Sequence, residues 1–176
     1  MVFDRNEKKQ VVALLGAGSM GTAIVRRIAA GKKILLGDIS AQALERVSDD
    51  FRRSGYDVET CVVNALEKDS IEAFAKKAAE LGPVMYFIDT AGASPNQASP
   101  EHIVAPLAYD EFNANGDGYQ AMIDASAARR VATSDEIADA ASFLLGEHAQ
   151  FINGTDLLID GGVIASIRTG QFQLQG

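Results

Sequence analysis

The sequence has one cysteine, no cluster of basic residues and no long apolar run, and each shortage excludes a class of protein. Because Cys61 stands alone, the chain can form no internal disulfide and no thiolate metal site, as is typical of a reducing compartment. The formal net charge is −8 and no lysine follows Lys77, so we expect neither a nucleic-acid partner nor binding to an anionic membrane.

No apolar run approaches the roughly 20 residues of a membrane span. The opening residues, MVFDRNEKKQ, are charged and lack the apolar stretch of a signal peptide, so we expect a cytoplasmic protein. With 176 residues, of which 47% are hydrophobic, the chain is long enough for one soluble domain with a sizeable core.

Apolar runs alternate with amphipathic stretches through the first half of the chain. The runs predict buried strands at 11–15, 33–38, 58–63 and 83–90. Helices are predicted between them: one over 21–30, one capped by Ser40, and one opened by a capping box of Asp69 and Glu72. This alternation indicates an α/β protein with a doubly wound parallel sheet of Rossmann type and helices on both faces, in a single domain over 1–176.

The pattern changes after the fourth strand. Residues 91–115 contain no convincing strand, and a loop of that length is unusual inside a compact domain. Helices are predicted near 119–126 and after a capping box of Thr133 and Glu136. A fifth strand is predicted over 155–160, followed by Gly161 and Gly162.

Three glycines, Gly16, Gly18 and Gly21, follow the first strand in the pattern G-x-G-x-x-G. The first permits a tight turn, the second lets backbone approach a pyrophosphate, and the third lets the helix pack close to the sheet. Asp38 ends the second strand and is placed to accept hydrogen bonds from an adenosine ribose, which favours NAD over NADP. A plain tight βα turn is the alternative, and the pattern leaves FAD open.

Two further stretches, DTAGAS at 89–94 and the segment 129–162 ending in D-G-G, resemble the short-chain dehydrogenase/reductase family. In place of family residues the chain has Asn64 for an aspartate at the adenine and Asp89–Thr90 for paired asparagines, and its glycine spacing is one residue shorter. The resemblance implies a homodimer or homotetramer that acts on a carbonyl or alcohol. Together with the glycine turn it predicts cofactor binding by Gly16, Gly18, Ser19, Met20, Gly21, Asp38, Ile39, Asn64, Ala65, Ala91 and Gly92.

The catalytic residues of that family are missing from this sequence. The family uses a tyrosine as general acid/base, a lysine four residues later that lowers the phenol pKa, and an upstream serine. None of the tyrosines here, Tyr56, Tyr86, Tyr109 and Tyr119, has a lysine four residues further on. We therefore predict no catalytic residue in this chain and a seam near 103–106, where two strands of the family sheet are missing.

Two interpretations of the seam stay open: an internal segment is omitted from this sequence, or the chain is a catalytically inactive dinucleotide-binding module. The intact mass of the protein separates them, since 18.7 kDa belongs to the chain without the segment. Without its neighbour, the last predicted strand would leave Leu157, Leu158 and Ile159 poorly covered. Other Rossmann reductases, such as imine reductases and hydroxy-acid dehydrogenases, fit the D-G-G ending less well. No metal is predicted, because His102 and His148 stand apart from other ligands.

Overall fold

The computed structural model describes residues 8–92 and 117–171, and the chain divides into two compact units, 1–93 and 94–176. The first unit alternates strands with helices, as the sequence predicts. Its strands are β1 (Val11–Leu15), β2 (Lys33–Asp38), β3 (Asp57–Val62) and β4 (Val84–Asp89). The helices between them are α1 (Ser19–Ile28), α2 (Ala41–Arg53) and α3 (Lys68–Leu81).

The four strands form one parallel sheet in the order β3-β2-β1-β4, which places β1 at its centre. Phe74 and Ala78 of α3 belong to one buried cluster with alternate residues of β1, so α3 covers one face of the sheet. Leu14, which points to the other face, lies against Gly21 of α1. Helices therefore cover both faces, and the predicted α/β class with a parallel Rossmann-type sheet is confirmed.

Helix ends follow the local capping chemistry, with two corrections. The side chain of Ser40 accepts a hydrogen bond from the Ala43 amide at 3.2 Å, as predicted. The first helix begins at Ser19 rather than at residue 21, because Gly18 serves as its N-cap without a side-chain bond. The predicted capping box of Asp69 and Glu72 is wrong, because α3 begins at Lys68 and Asp69 lies inside its first turn.

The two outer strands of the sheet, β3 and β4, differ in how well they are protected against pairing with another strand. Along β3, Glu59 lies 3.2 Å from the ammonium of Lys33, and Asp57 lies 3.2 Å from that of Lys9. Charged side chains on an edge strand oppose pairing with another strand. On β4, Val84, Met85 and Phe87 are roughly half exposed, and the described part of the chain places no strand beside its outer edge.

The second unit contains helices and no strand within its described residues. The helices are α4 (Asp117–Ala125), α5 (Ser134–Leu144), a 3₁₀ turn (Glu147–Ala149) and α6 (Val163–Arg168). The strand predicted at 155–160 is wrong: this segment is unpaired, and Leu157, Leu158 and Ile159 are 54, 65 and 42% exposed. A strand needs a neighbour for its backbone hydrogen bonds, and residues 117–171 supply none.

The amino end of α5 is held by the predicted capping box. The hydroxyl of Thr133 accepts a bond from the Glu136 amide at 3.2 Å, and Glu136 accepts one from the Thr133 amide at 2.9 Å. Both carboxylate oxygens of Glu136 also accept bonds from the Arg130 guanidinium, at 2.6 and 2.7 Å. These bonds, first that from Arg130 and then that from the Thr133 amide, lower the pKa of Glu136 to about 2.

The depressed pKa of Glu136 gives stability a defined pH dependence. Its contribution is complete above the ordinary carboxyl pKa of 4.5 and is lost as the pH falls toward 2, where the folded protein takes up the proton. We therefore expect the difference in unfolding free energy between wild type and Glu136→Gln, measured with urea from about pH 6 downward, to shrink below about pH 4.5. Glu147→Gln is the control, because Glu147 is exposed on the 3₁₀ turn. A gap between E136Q and wild type that stayed constant with pH would contradict the assignment.

Candidate functional site

The candidate site lies at the carboxyl ends of β1 and β4, where the strand order of the sheet reverses direction. Open parallel sheets bind ligands in the crevice outside such a switch point. The chain leaves β1 through Gly16, Ala17 and Gly18 and enters α1 directly. We call residues 16–18 the glycine turn.

The backbone conformation and the surroundings of position 16 both require glycine. Its φ is +94°, a conformation that side chains disfavour. A methyl group here would lie 2.7 Å from the Ala91 nitrogen and 2.8 Å from the Thr90 carbonyl carbon. The amide of Gly16 donates to the Gly37 carbonyl at 2.8 Å, which ties the turn to β2.

Gly18 and Gly21 have opposite surroundings. A methyl group on Gly21 would lie 2.6 Å from the Thr90 hydroxyl oxygen and 2.7 Å from a methyl carbon of Leu14, so this glycine lets α1 sit close to the sheet. A methyl group on Gly18 would meet no heavy atom within 4 Å. The backbone at Gly18 therefore faces open space, as a site for a ligand that approaches bare backbone requires.

No side chain of α1 itself caps its amino end. Its N-cap, Gly18, offers no side-chain acceptor, and its first turn contains no acidic residue. Both α2 and α5 have an oxygen-bearing cap, from Ser40 and Thr133. Because amide groups and the helix dipole make a helix amino end attractive to anions, α1 fits a phosphate better than either of these helices. Ser19 and Met20, both predicted to bind cofactor, are the first two residues of α1.

Asp38 ends β2 beside the glycine turn and is 5% exposed. One carboxylate oxygen accepts a bond from the Ala17 amide at 2.7 Å, and the other accepts one from the Ser40 amide at 2.9 Å. The sequence predicts only that Asp38 bonds to ribose, and it does not indicate that Asp38 also accepts bonds from these two backbone amides. Since each carboxylate oxygen can accept more than one hydrogen bond, capacity remains for a ribose hydroxyl. Ile39, the next predicted residue, is 46% exposed.

Thr90 holds the turn from the other side. Its amide donates to the Leu15 carbonyl at 2.8 Å, and its hydroxyl donates to the Gly16 carbonyl at 3.0 Å. Asp89 accepts a bond from the Ala91 amide at 2.9 Å, which shapes the chain as it leaves β4. Ala91 and Gly92, both predicted to bind cofactor, follow directly. In the sequence Thr90 stands out only as a departure from the resembled family pattern, and its contact with Gly16 is visible only in the structure.

Asn64 follows β3 and builds a local turn. Its side-chain amide donates to Glu67 at 2.9 Å, and its side-chain oxygen accepts from the Leu66 amide at 3.1 Å. The preceding residue, Val63, donates its amide to the Asp38 carbonyl at 2.9 Å, so this turn starts beside the end of β2. The exposed Ala65 and the half-buried Asn64 lie at the same edge of the sheet as the glycine turn, and their contact with adenine stays a prediction.

The structure describes the side chains of two tyrosines, Tyr56 and Tyr86. The Tyr56 hydroxyl donates to the Arg26 carbonyl at 3.1 Å, and the Tyr86 ring lies 5.7 Å from the Lys32 ammonium. Tyr109, the side chain of Tyr119 and the predicted seam at 103–106 lie outside the described residues. Residues 8–92 and 117–171 also contain no group of three or more histidine, cysteine, aspartate or glutamate side chains that could hold a metal ion.

The D-G-G turn, residues 160–162 at the end of the segment 129–162, has a structural role. Asp160 accepts bonds from the Ile164 amide at 2.8 Å and the Gly162 amide at 2.9 Å, and these bonds lower the pKa of its carboxyl group. Both glycines of the turn have positive φ, +64° at Gly161 and +94° at Gly162. The motif therefore caps the short helix α6.

Two stretches of known protein sequence are similar to parts of this chain. Residues 96–164 match the family model described as enoyl-(acyl carrier protein) reductase. A curated relative, the short-chain dehydrogenase/reductase bsc3 of Alternaria brassicicola, is 39% identical over 97 residues, which is 55% of this chain and 35% of the relative. Over these residues the chain is similar to short-chain dehydrogenases/reductases. It spans about a third of the length of that curated relative.

Solved structures of short-chain dehydrogenases/reductases share the fold. The enzyme from Serratia marcescens superposes with a TM-score of 0.69 at 15% identity, over 89% of this chain and 98% of that one. A Brucella melitensis protein, titled short-chain dehydrogenase/reductase SDR:glucose/ribitol dehydrogenase, gives 0.65 at 16% identity over 89% and 97%. Among the described residues, no helix is long and apolar enough to cross a membrane.

Proposed function

We propose that this chain binds NAD and belongs to an oxidoreductase that transfers a hydride between nicotinamide and a carbonyl or alcohol substrate. The observation that carries the proposal is the glycine turn, with open space at Gly18, an uncapped α1 and the Asp38 carboxylate at the end of β2. The family supports the reaction class, and the turn supports the cofactor class.

Each part of the site would hold one part of the cofactor. The backbone at Gly18 and the amino end of α1 would bind the diphosphate, where the helix dipole favours an anion. Asp38 would accept hydrogen bonds from the adenosine ribose, and Asn64 and Ala65 would line the adenine. When bound, the nicotinamide accepts or supplies the hydride.

The preference for NAD over NADP rests on charge. The additional phosphate of NADP would lie on the ribose beside the Asp38 carboxylate, and like charges repel. No arginine follows Asp38, because Ile39 and Ser40 occupy the next two positions. A chain that preferred NADP would need a cation there.

We propose that the tyrosine and lysine for proton transfer belong to an internal segment that the 176-residue sequence lacks. The alternative is an inactive binding module, and the absent Tyr-x-x-x-Lys pattern favours it for the chain as it stands. Turnover of NADH on a panel of carbonyl substrates by the 18.7 kDa chain would rule out the inactive module. We further propose a cytoplasmic homodimer or homotetramer that does not bind nucleic acid.

Calorimetric titration with NADH and NADPH tests the cofactor. We expect a micromolar Kd for NADH and weaker binding of NADPH. The protein must be shown to be folded in the same buffer by circular dichroism. Absence of heat with both cofactors in a folded sample would overturn the proposal.

Replacing Asp38 by alanine is expected to weaken NADH binding roughly tenfold and to narrow the preference for NADH over NADPH. The loss follows because charge-assisted hydrogen bonds contribute about 1.5–3 kcal/mol. The preference for NADH over NADPH narrows because the variant lacks the carboxylate that would repel the additional phosphate of NADPH. NADPH binding does not improve in proportion, since Asp38 also holds the Ala17 amide. Asp69→Ala, an exposed position on α3, is the control, and an unchanged ratio of the two Kd values in D38A would refute the role.

A further inference from the structure

A single peptide group of the glycine turn is bonded by two side chains, that of Asp38 at the end of β2 and that of Thr90 directly after β4. The carbonyl of Gly16 and the amide of Ala17 belong to the same peptide plane, which is rigid because of its partial double bond. The carbonyl accepts the Thr90 hydroxyl at 3.0 Å, and the amide donates to the Asp38 carboxylate at 2.7 Å. Each bond constrains the rotation of that plane from the opposite end.

We propose that Thr90 is a positioning residue for cofactor binding: its hydroxyl fixes the 16–17 peptide plane and thereby aims the backbone at Gly18 and the start of α1. The inference rests on the proposed function. A rotation of the 16–17 plane would change ψ of Gly16 and φ of Ala17, turn the Ala17 amide away from Asp38 and disturb the backbone that leads into Gly18. We expect Thr90 itself to make no contact with the cofactor.

The position of the Thr90 hydroxyl is defined by its neighbours. Its oxygen lies 2.6 Å from the position that a methyl group on Gly21 would occupy, so the absence of a side chain at Gly21 makes room for it. The Thr90 amide, bonded to the Leu15 carbonyl at 2.8 Å, anchors the residue to the end of β1. Thr90 is half-buried. Valine at this position keeps the shape and leaves the Gly16 carbonyl without its donor.

Two substitutions at Thr90 separate the hydroxyl from the packing. We expect Thr90→Val to raise the Kd for NADH about five- to tenfold and Thr90→Ser, which keeps the donor, to stay within about twofold of wild type. Thr60→Val is the matched control, because Thr60 is a half-buried threonine on β3 of the same sheet. Titration calorimetry gives the Kd values, and the thermal unfolding midpoint is recorded for every variant.

A measurement without cofactor keeps this inference distinct from the proposed function. Hydrogen–deuterium exchange on the free protein should show faster exchange at the Ala17 amide in T90V than in wild type, T90S or T60V. If wild type bound no cofactor, the proposed function and the positioning role would both fall, and the exchange result would still report whether Thr90 orders the turn. If T90V lowered the unfolding midpoint but bound NADH as wild type does, Thr90 would be a structural residue only and the proposal would be wrong.

Discussion

Glutamate in place of Gly18 is expected to weaken NADH binding by at least about a hundredfold without unfolding the protein. The backbone at Gly18 has φ −79° and ψ 178°, an extended conformation that any residue adopts. A methyl group there meets no heavy atom within 4 Å, so the first side-chain atom of the glutamate fits without a clash. Its carboxylate would occupy the space proposed for the diphosphate and repel it. A hundredfold loss corresponds to about 2.7 kcal/mol of binding free energy.

Titration calorimetry on G18E, with circular dichroism to confirm the fold, measures this effect. Ala73→Glu is the matched control, because it adds the same charge at an exposed position of α3. The alanine variant G18A separates the two causes, since it adds a methyl group in the open space but no charge. G18E binding NADH as tightly as A73E does would remove the basis of the proposed site.

Truncating Phe74 to alanine is expected to lower the free energy of unfolding by about 3–5 kcal/mol. Its side chain is fully buried, in a cluster with alternate residues of β1 and with Val63. The ring also fills the space above Gly37, where a methyl group would lie 2.7 Å from it, and meets the Phe87 ring at 6.4 Å between centroids. Because whole domains are stable by about 5–15 kcal/mol, this single cavity would remove a large share of the stability.

Urea unfolding followed by circular dichroism measures the change. Phe151→Ala is the control, because the Phe151 side chain is fully exposed and its removal should alter stability by less than about 0.5 kcal/mol. Equal shifts for F74A and F151A would mean that the cluster around β1 does not hold the first unit together.

Much of the fold follows from local patterns in the sequence. The bounds of β1 and β2 were predicted to the residue, because both are short apolar runs closed by a glycine or an aspartate. Ser40 and Thr133 were predicted as caps, since an oxygen-bearing side chain next to a helical pattern satisfies amides that have no other partner. The same reasoning failed at Asp69, which has the right residue type but lies one position inside α3.

The misses depend on groups far apart in the sequence. The segment 155–160 reads as a strand, but strand structure requires a neighbour, and a local pattern cannot tell whether one exists. The hydrogen bond that the Ala17 amide donates to Asp38 spans 21 residues, and the bond that the Thr90 hydroxyl donates to the Gly16 carbonyl spans 74 residues. The glycine positions could be predicted because their spacing is local, whereas the side chains that hold the turn could be recognised only in the structure.

The close approach of Thr90 and Ala91 to Gly16 limits how this protein can change over evolutionary time. A side chain at position 16 would clash with the backbone of Thr90 and Ala91, so a descendant that keeps the turn also keeps its first glycine. Position 18 admits many residues without structural penalty, so only selection for the ligand would preserve glycine there. If the proposed site is correct, drift at position 18 beside constancy at position 16 would mark lineages that keep the fold without the ligand.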